Sequence, residues 1–129
     1  MDTDTLVEDL IDAGAKLVEE LRQRSFDVTA AFWLKASEDG KWYFYVVSPV
    51  VDAEGLTKAY RKLHPLAQTM QSSWINPLQI KLIGPTNPIA RDVLAIHSRT
   101  PGPGVSPIRW GGKKLGNVSV DEAYLYATP

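Results

Sequence analysis

The chain has 129 residues, of which 44% are hydrophobic and 22% are charged, and its formal net charge is −1. This length fits a single domain spanning residues 1–129, and the composition is ordinary for a soluble globular protein. The absence of cysteine excludes disulfides, thiolate metal sites and cysteine nucleophiles, and it agrees with the cytoplasmic location that we expect. No apolar run is long enough to span a bilayer, so we expect no membrane association.

The first predicted element is an amphipathic helix near the N-terminus. Thr5 and Glu8 fit a capping box. Apolar residues then recur at three- and four-residue spacing as far as Leu21. Gly14 lies within this apolar stripe although glycine disfavours helix, so we expect it to mark a close approach of the helix to the sheet.

Two aromatic-rich strands between Val28 and Ser48 are predicted to form a hairpin around the sequence SEDG at 37–40. A three-residue loop with a bulge would place Leu34 opposite Phe44. Alternation then predicts a core face of Ala30, Phe32, Leu34, Trp42, Phe44 and Val46. The other face would carry Thr29, Ala31, Trp33, Lys35, Tyr43, Tyr45 and Val47. A two-residue turn would shift the pairing by one residue and mix the two sets.

The middle of the chain predicts a second helix, a third strand and a short helix. Asp52 is the expected cap of the second helix, whose apolar positions are Leu56, Ala59, Tyr60 and Leu63, and Pro65 predicts a kink or break at His64. Residues 78–83 alternate as a strand with one wet face. Asn87 followed by Pro88 predicts the start of a short helix over Ile89, Val93, Leu94 and Ile96.

The C-terminal part predicts an irregular connector at 100–107 and a closing hairpin. We expect its strands at 108–110 and 118–126, around a loop at 111–117. A bulge at Asp121-Glu122 would turn four apolar residues of the last strand inward, namely Val118, Val120, Ala123 and Leu125. Tyr124 and Tyr126 would then point outward.

These elements together predict an α+β domain. We expect a two-layer structure with a mainly antiparallel sheet of about five strands, helices packed on one face, and the element order αββαβαββ.

No motif in the sequence indicates catalysis, and we expect neither a metal nor a cofactor. There is no paired histidine motif, calcium loop or nucleophile elbow. The prolines of Gly84-Pro85-Thr86-Asn87-Pro88 remove amide donors that a phosphate cradle would use. One enzymatic alternative stays open, a metal-dependent nuclease using Asp52, Glu54 and Lys81.

Charge is distributed unevenly along the chain. Residues 1–27 carry eight acids and three bases, whereas the remainder carries seven acids and eleven bases. The C-terminal part holds a candidate anion-binding set, which consists of His97, Arg99, Arg109, Lys113 and Lys114. A solvated basic loop opposite an acidic helix is the simpler interpretation, and it could also favour head-to-tail contact between copies.

The outer aromatic face of the sheet is the candidate functional surface. Its predicted partner-binding residues are Trp33, Lys35, Tyr43, Tyr45, Tyr124 and Tyr126. Rings with polar groups are typical of protein interfaces, so we expect a non-catalytic domain that forms a homo-oligomer or binds a protein partner. Three alternatives remain. Single-stranded nucleic acid could stack on this face, with Lys35, Lys81 and the basic loop along its phosphates. A loop of the same chain could cover the face, or a small ligand could bind near Trp110 and the basic loop.

Overall fold

The computed structural model describes residues 8–38, 40–69, 80–99, 108–116 and 118–126. In chain order the elements are α1 (Glu8–Gln23), β1 (Ala30–Ala36), β2 (Trp42–Val47), α2 (Pro49–Glu54), α3 (Leu56–Thr69), β3 (Ile80–Ile83), α4 (Pro88–Arg99), β4 (Ile108–Leu115) and β5 (Val118–Leu125). The order is therefore αββααβαββ, because two helices stand where one was predicted. Among the helices described, none has the length and apolar character needed to cross a membrane.

The five described strands form one mixed sheet in the order β3-β2-β1-β5-β4. β3 runs parallel to β2, and the other neighbours are antiparallel. The α+β class is thus confirmed, but the prediction of a mainly antiparallel sheet is wrong. After β2 the chain passes through α2 and α3 before it returns beside β2, and a helical crossover of this kind brings the next strand back in the same direction.

Helices cover both faces of the sheet, so the predicted arrangement with all helices on one face is also wrong. On the first face, which we call the α1 face, α1 contributes Leu17 and Leu21, and α3 contributes Leu63. On the second face, the α4 face, α4 contributes Ala90 and Val93. Each face therefore has its own hydrophobic cluster, with the sheet between them.

Local cap chemistry sets the starts of α2 and α4. The N-cap of α2 is the buried Ser48, whose Oγ accepts a hydrogen bond from the Val50 amide at 3.2 Å. The predicted cap, Asp52, lies inside α2 instead. The Asn87 cap of α4 is confirmed, because its Oδ1 accepts from the Ile89 amide at 2.9 Å. Of the kink or break predicted at His64, the break is absent, since α3 continues through Pro65, and the kink stays a prediction.

Gly14 marks a close approach of α1 to the sheet, as its place in the apolar stripe predicts. A Cβ atom at this position would collide with the Tyr126 hydroxyl. The same atom would lie 3.0 Å from Phe44 Cε1 and 3.1 Å from Trp33 Nε1. The helix packs this tightly on the sheet because residue 14 has no side chain.

The β1–β2 register differs by one residue from the prediction. Trp33 pairs with Phe44 and Leu34 with Tyr43, and the last pair of the ladder is Lys35 with Trp42. The connection is closed by a hydrogen bond of 2.9 Å from the Gly40 amide to the Ala36 carbonyl. The connection between the strands is therefore longer than the three-residue bulged loop predicted. A shift of one residue exchanges the two faces of one strand, so each observed face contains residues from both predicted sets.

The closing hairpin has a longer first strand than predicted. β4 continues to Leu115, which pairs with Val118, so residues 111–115 belong to a strand and not to a loop. The bulge in β5 is confirmed, because β1 pairs Lys35 with Glu122 and then Ala36 with Val120, leaving Asp121 unpaired with β1. All four apolar residues that this bulge was predicted to turn inward belong to the α4-face cluster: Val118, Val120, Ala123 and Leu125.

Candidate functional site

The six predicted partner-binding residues do not share one face of the sheet. Trp33, Tyr124 and Tyr126 belong to the α1-face cluster. Tyr45 belongs to the α4-face cluster, and Tyr43 lies on that face too by strand alternation. Lys35 follows Trp33 by two residues and so takes the α1 side. The predicted single aromatic face is wrong for this reason, and whether these residues bind a partner stays a prediction.

On the α1 face, Trp33 and Tyr126 form a structural link between the sheet and α1. Trp33 is fully buried, and its Nε1 donates to the Tyr126 hydroxyl at 2.9 Å. That hydroxyl donates in turn to the Ile11 carbonyl at 2.6 Å. Burial raises the pKa of Tyr126 well above its ordinary value. The outward orientation predicted for Tyr126 is therefore wrong, and these two residues hold α1 in place.

On the α4 face, three side chains of β2 and β3 form a surface that we call the tyrosine–lysine patch: Tyr43, Tyr45 and Lys81. Both tyrosines are half-buried, and Lys81 is exposed. Lys81 Nζ lies 5.0 Å from the centre of the Tyr43 ring, within the range of a cation–π contact. Tyr45 stacks on the buried Phe32 ring with centroids 5.1 Å apart and planes inclined by only 4°.

With 12 residues, α4 is about 18 Å long, and it is the helix packed on the α4 face within the described residues. Its cluster contains four residues from β4 and β5: Leu115, Val120, Ala123 and Leu125. The cluster also reaches β2 and β3, because it includes Val47, and Tyr45 and Ile83 pack against it. The patch therefore adjoins this core through Tyr45, and Lys81 is its exposed member.

The candidate anion-binding residues lie on a strand and a helix end, not on a loop. Arg109, Lys113 and Lys114 belong to β4, opposite Tyr124, Val120 and Ser119 of β5. His97 and Arg99 belong to the last turn of α4. The Lys114 side chain is exposed, and the side chains of the other four lie outside the described residues. The predicted basic loop is replaced by a basic strand, and anion binding itself stays a prediction.

The three residues of the nuclease alternative each contact a different group. The Asp52 carboxylate accepts from Thr86 Oγ1 at 3.1 Å. Glu54 is paired with Lys62 at 2.6 Å, and the hydrogen bond from Lys62 lowers the pKa of Glu54. Lys81 lies over Tyr43. Within the described residues no group of three or more His, Cys, Asp or Glu could hold a metal ion, and the nuclease alternative itself stays a prediction.

Sequence analysis placed Lys81 beside the aromatic face only in the nucleic-acid alternative, and not among the partner-binding residues. Alternation in the third strand did indicate a wet position at 81. The pairing of Tyr45 with Lys81 depends on the parallel alignment of β2 and β3, which places Tyr43 diagonally beside the lysine. The pairing of Lys81 with Tyr45 could be predicted only from the direction of β3 relative to β2. A strand this short carries no sequence signal for its direction.

Comparison with models of known protein families, with curated proteins and with solved structures gave no match to this chain. The functional interpretation therefore depends on the surfaces described above.

Proposed function

We propose that this chain is a non-catalytic protein-binding domain, and that the tyrosine–lysine patch is where it associates with a second copy of itself or with another protein. The observation that carries the proposal is the exposed Lys81, whose ammonium group lies 5.0 Å from the half-buried Tyr43 ring on the α4 face. This pairing presents an aromatic surface and a positive charge together on two adjacent strands.

The chemistry of the patch suits a protein interface. A tyrosine ring supplies a large apolar surface together with a hydroxyl that accepts or donates a hydrogen bond. Because Tyr45 already stacks on Phe32, its ring is held in position, and little side-chain entropy remains to be lost on binding. Aromatic residues of this kind are enriched at the centres of interfaces and contribute most of their binding energy.

Sedimentation velocity over a wide range of protein concentrations tests the proposal. We expect the wild-type chain to associate as its concentration rises. The double variant Tyr43→Ala/Lys81→Ala should remain a monomer at concentrations where the wild type is associated, since it removes the ring and the charge together. Circular dichroism would verify that the variant is folded.

The matched control is Leu56→Ala. Leu56 is 49% exposed on α3, so it is an apolar surface residue away from the patch. We expect this variant to associate like the wild type. Loss of association in Leu56→Ala but not in the patch variant would contradict the proposal, and a wild-type chain that is monomeric throughout would exclude self-association.

Binding of single-stranded nucleic acid is the alternative that the same side chains support, because a tyrosine ring beside a lysine is also how such strands are held. Fluorescence anisotropy with a labelled oligothymidylate separates the two functions. Tight binding that weakens steeply with salt and is lost in the patch variant would favour nucleic acid over protein.

A further inference from the structure

β4 ends the sheet on the side opposite to β3. It pairs with β5 from Ile108 to Leu115, except at Gly112, and no described strand lies on its other side. The strand is roughly 26 Å long, whereas β3, at the opposite edge, has only four residues. An edge of this length presents a row of backbone donors and acceptors on which another chain can pair.

The middle of β4 consists of two glycines, Gly111 and Gly112. Glycine inside a strand marks either a bulge or a place where another backbone approaches closely. The register is the same on both sides, with Gly111 opposite Glu122 and Lys113 opposite Val120, but the ladder has no pair between Gly112 and Asp121. Val120 and Ala123 of β5 belong to the same cluster although they are three residues apart, so side-chain alternation is interrupted here in both paired strands. The two glycines accommodate this irregularity, and it is the length and the charge of the strand that bear on a partner.

The charge of β4 selects among possible partners. The strand contains Arg109, Lys113 and Lys114 and no acid. If two copies of β4 paired antiparallel about their centres, Arg109 would lie opposite Lys114, and like charges directly opposite each other destabilise a strand pair. A second β4 is therefore a poor partner, and a strand with acidic side chains is a good one.

We propose that the open edge of β4 binds an extended acidic segment of a partner protein, which adds to the sheet as a sixth strand. Backbone hydrogen bonds supply the affinity, and the net positive charge of the strand sequence supplies the preference for Asp and Glu. This surface lies at the opposite end of the sheet from the tyrosine–lysine patch, so it is independent of the proposed function and can fail separately.

The test uses a fluorescein-labelled, end-capped peptide of alternating glutamate and threonine, titrated with the whole chain in fluorescence anisotropy at low ionic strength. We expect saturable binding. The same peptide with lysine for glutamate should bind at least tenfold more weakly. A version N-methylated at every amide should also bind at least tenfold more weakly, since it keeps the charge but has no amide donor for a strand ladder on either edge.

Two charge-reversed variants distinguish binding at the β4 edge from a general effect of the net charge of the protein. Lys113→Glu/Lys114→Glu should weaken binding at least tenfold. The matched control, Lys16→Glu/Lys58→Glu, makes the same change of charge at exposed positions on α1 and α3 and should stay within twofold of the wild type. If the β4 variant does not fold, the peptide comparison on the wild-type chain still decides.

Amide chemical-shift mapping with the glutamate peptide completes the experiment. We expect the largest shifts at residues 108–115. Each of four results would overturn the proposal: no binding, equal binding of the N-methylated peptide, equal loss of affinity in both charge-reversed proteins, or shifts concentrated outside β4.

Discussion

At the scale of single residues, the contact between α1 and the sheet depends on one missing side chain and one hydroxyl. Gly14 leaves room for the Tyr126 hydroxyl, which receives a hydrogen bond from Trp33 and donates one to Ile11. The hydroxyl makes two hydrogen bonds, one as acceptor and one as donor. It cannot move away from residue 14 without breaking at least one of them, which would leave a largely buried polar group without a partner.

Gly14→Ala tests this contact. On an exposed helix surface the change would stabilise the helix by about 1 kcal/mol. Here we expect a net loss of about 1–2 kcal/mol in the free energy of unfolding, because overpacking a filled interior costs more than that gain. Urea denaturation provides the measurement. Ala15→Gly, at an exposed neighbouring position, measures the effect of helix propensity alone. If Gly14→Ala were more stable than the wild type, the packing of α1 on the sheet at residue 14 would be looser than described.

The two buried tryptophans of β1 and β2 make a matched pair. Trp33 Nε1 donates to Tyr126, whereas Trp42 Nε1 is buried without an acceptor in the described part of the chain. Trp33→Phe removes a hydrogen bond as well as volume, but Trp42→Phe also removes an unsatisfied donor. We therefore expect Trp33→Phe to lower the free energy of unfolding by about 1–2 kcal/mol more than Trp42→Phe. Equal losses in urea denaturation would contradict this assignment.

At the scale of elements, the β1–β2 connection decides which aromatic residues are buried. Gly40 has a φ of +66°, and an added Cβ would meet nothing within 4 Å. A substitution there consequently changes backbone energy without creating a collision. The loop closes on the Ala36 carbonyl, so strain at Gly40 acts directly on the register of the hairpin.

Gly40→Ala should lower the free energy of unfolding by about 1–2 kcal/mol, because alanine is disfavoured at positive φ. Gly40→Asn should cost less, since asparagine tolerates the left-handed region. Thermal unfolding followed by circular dichroism compares the two variants. If alanine were tolerated as well as asparagine, the left-handed conformation of residue 40 would be wrong.

Much of the local structure could be predicted from sequence, because its causes are local. The cap at Asn87, the stripe of α1, the tight packing at Gly14 and the bulge in β5 each leave a signal in the sequence of one element, although the last two involve contacts with other elements. The hairpin register could not be decided, since the sequence SEDG fits loops of different length, and one residue of difference exchanges the faces. The single aromatic face failed as a prediction for that reason.

At the scale of the whole molecule, the placement of the helices on the sheet determines which aromatic side chains are buried and which can contact a partner. The parallel return of β3 and the placement of α4 depend on how the crossover packs, and residue spacing does not reveal this. Because α1 and α3 cover one face and α4 the other, Trp33 becomes a core residue and Tyr126 packs against that core. Tyr43 and Tyr45 are half-buried and Lys81 is exposed.

Hydroxyl-radical footprinting at low and high protein concentration tests the proposed binding surface most directly, because it measures the solvent exposure of individual side chains. We predict that oxidation of Tyr43 and Tyr45 falls as the chain associates, while oxidation of Leu56 on α3 stays constant. Association that leaves both tyrosines equally oxidised and protects Leu56 instead would contradict the account.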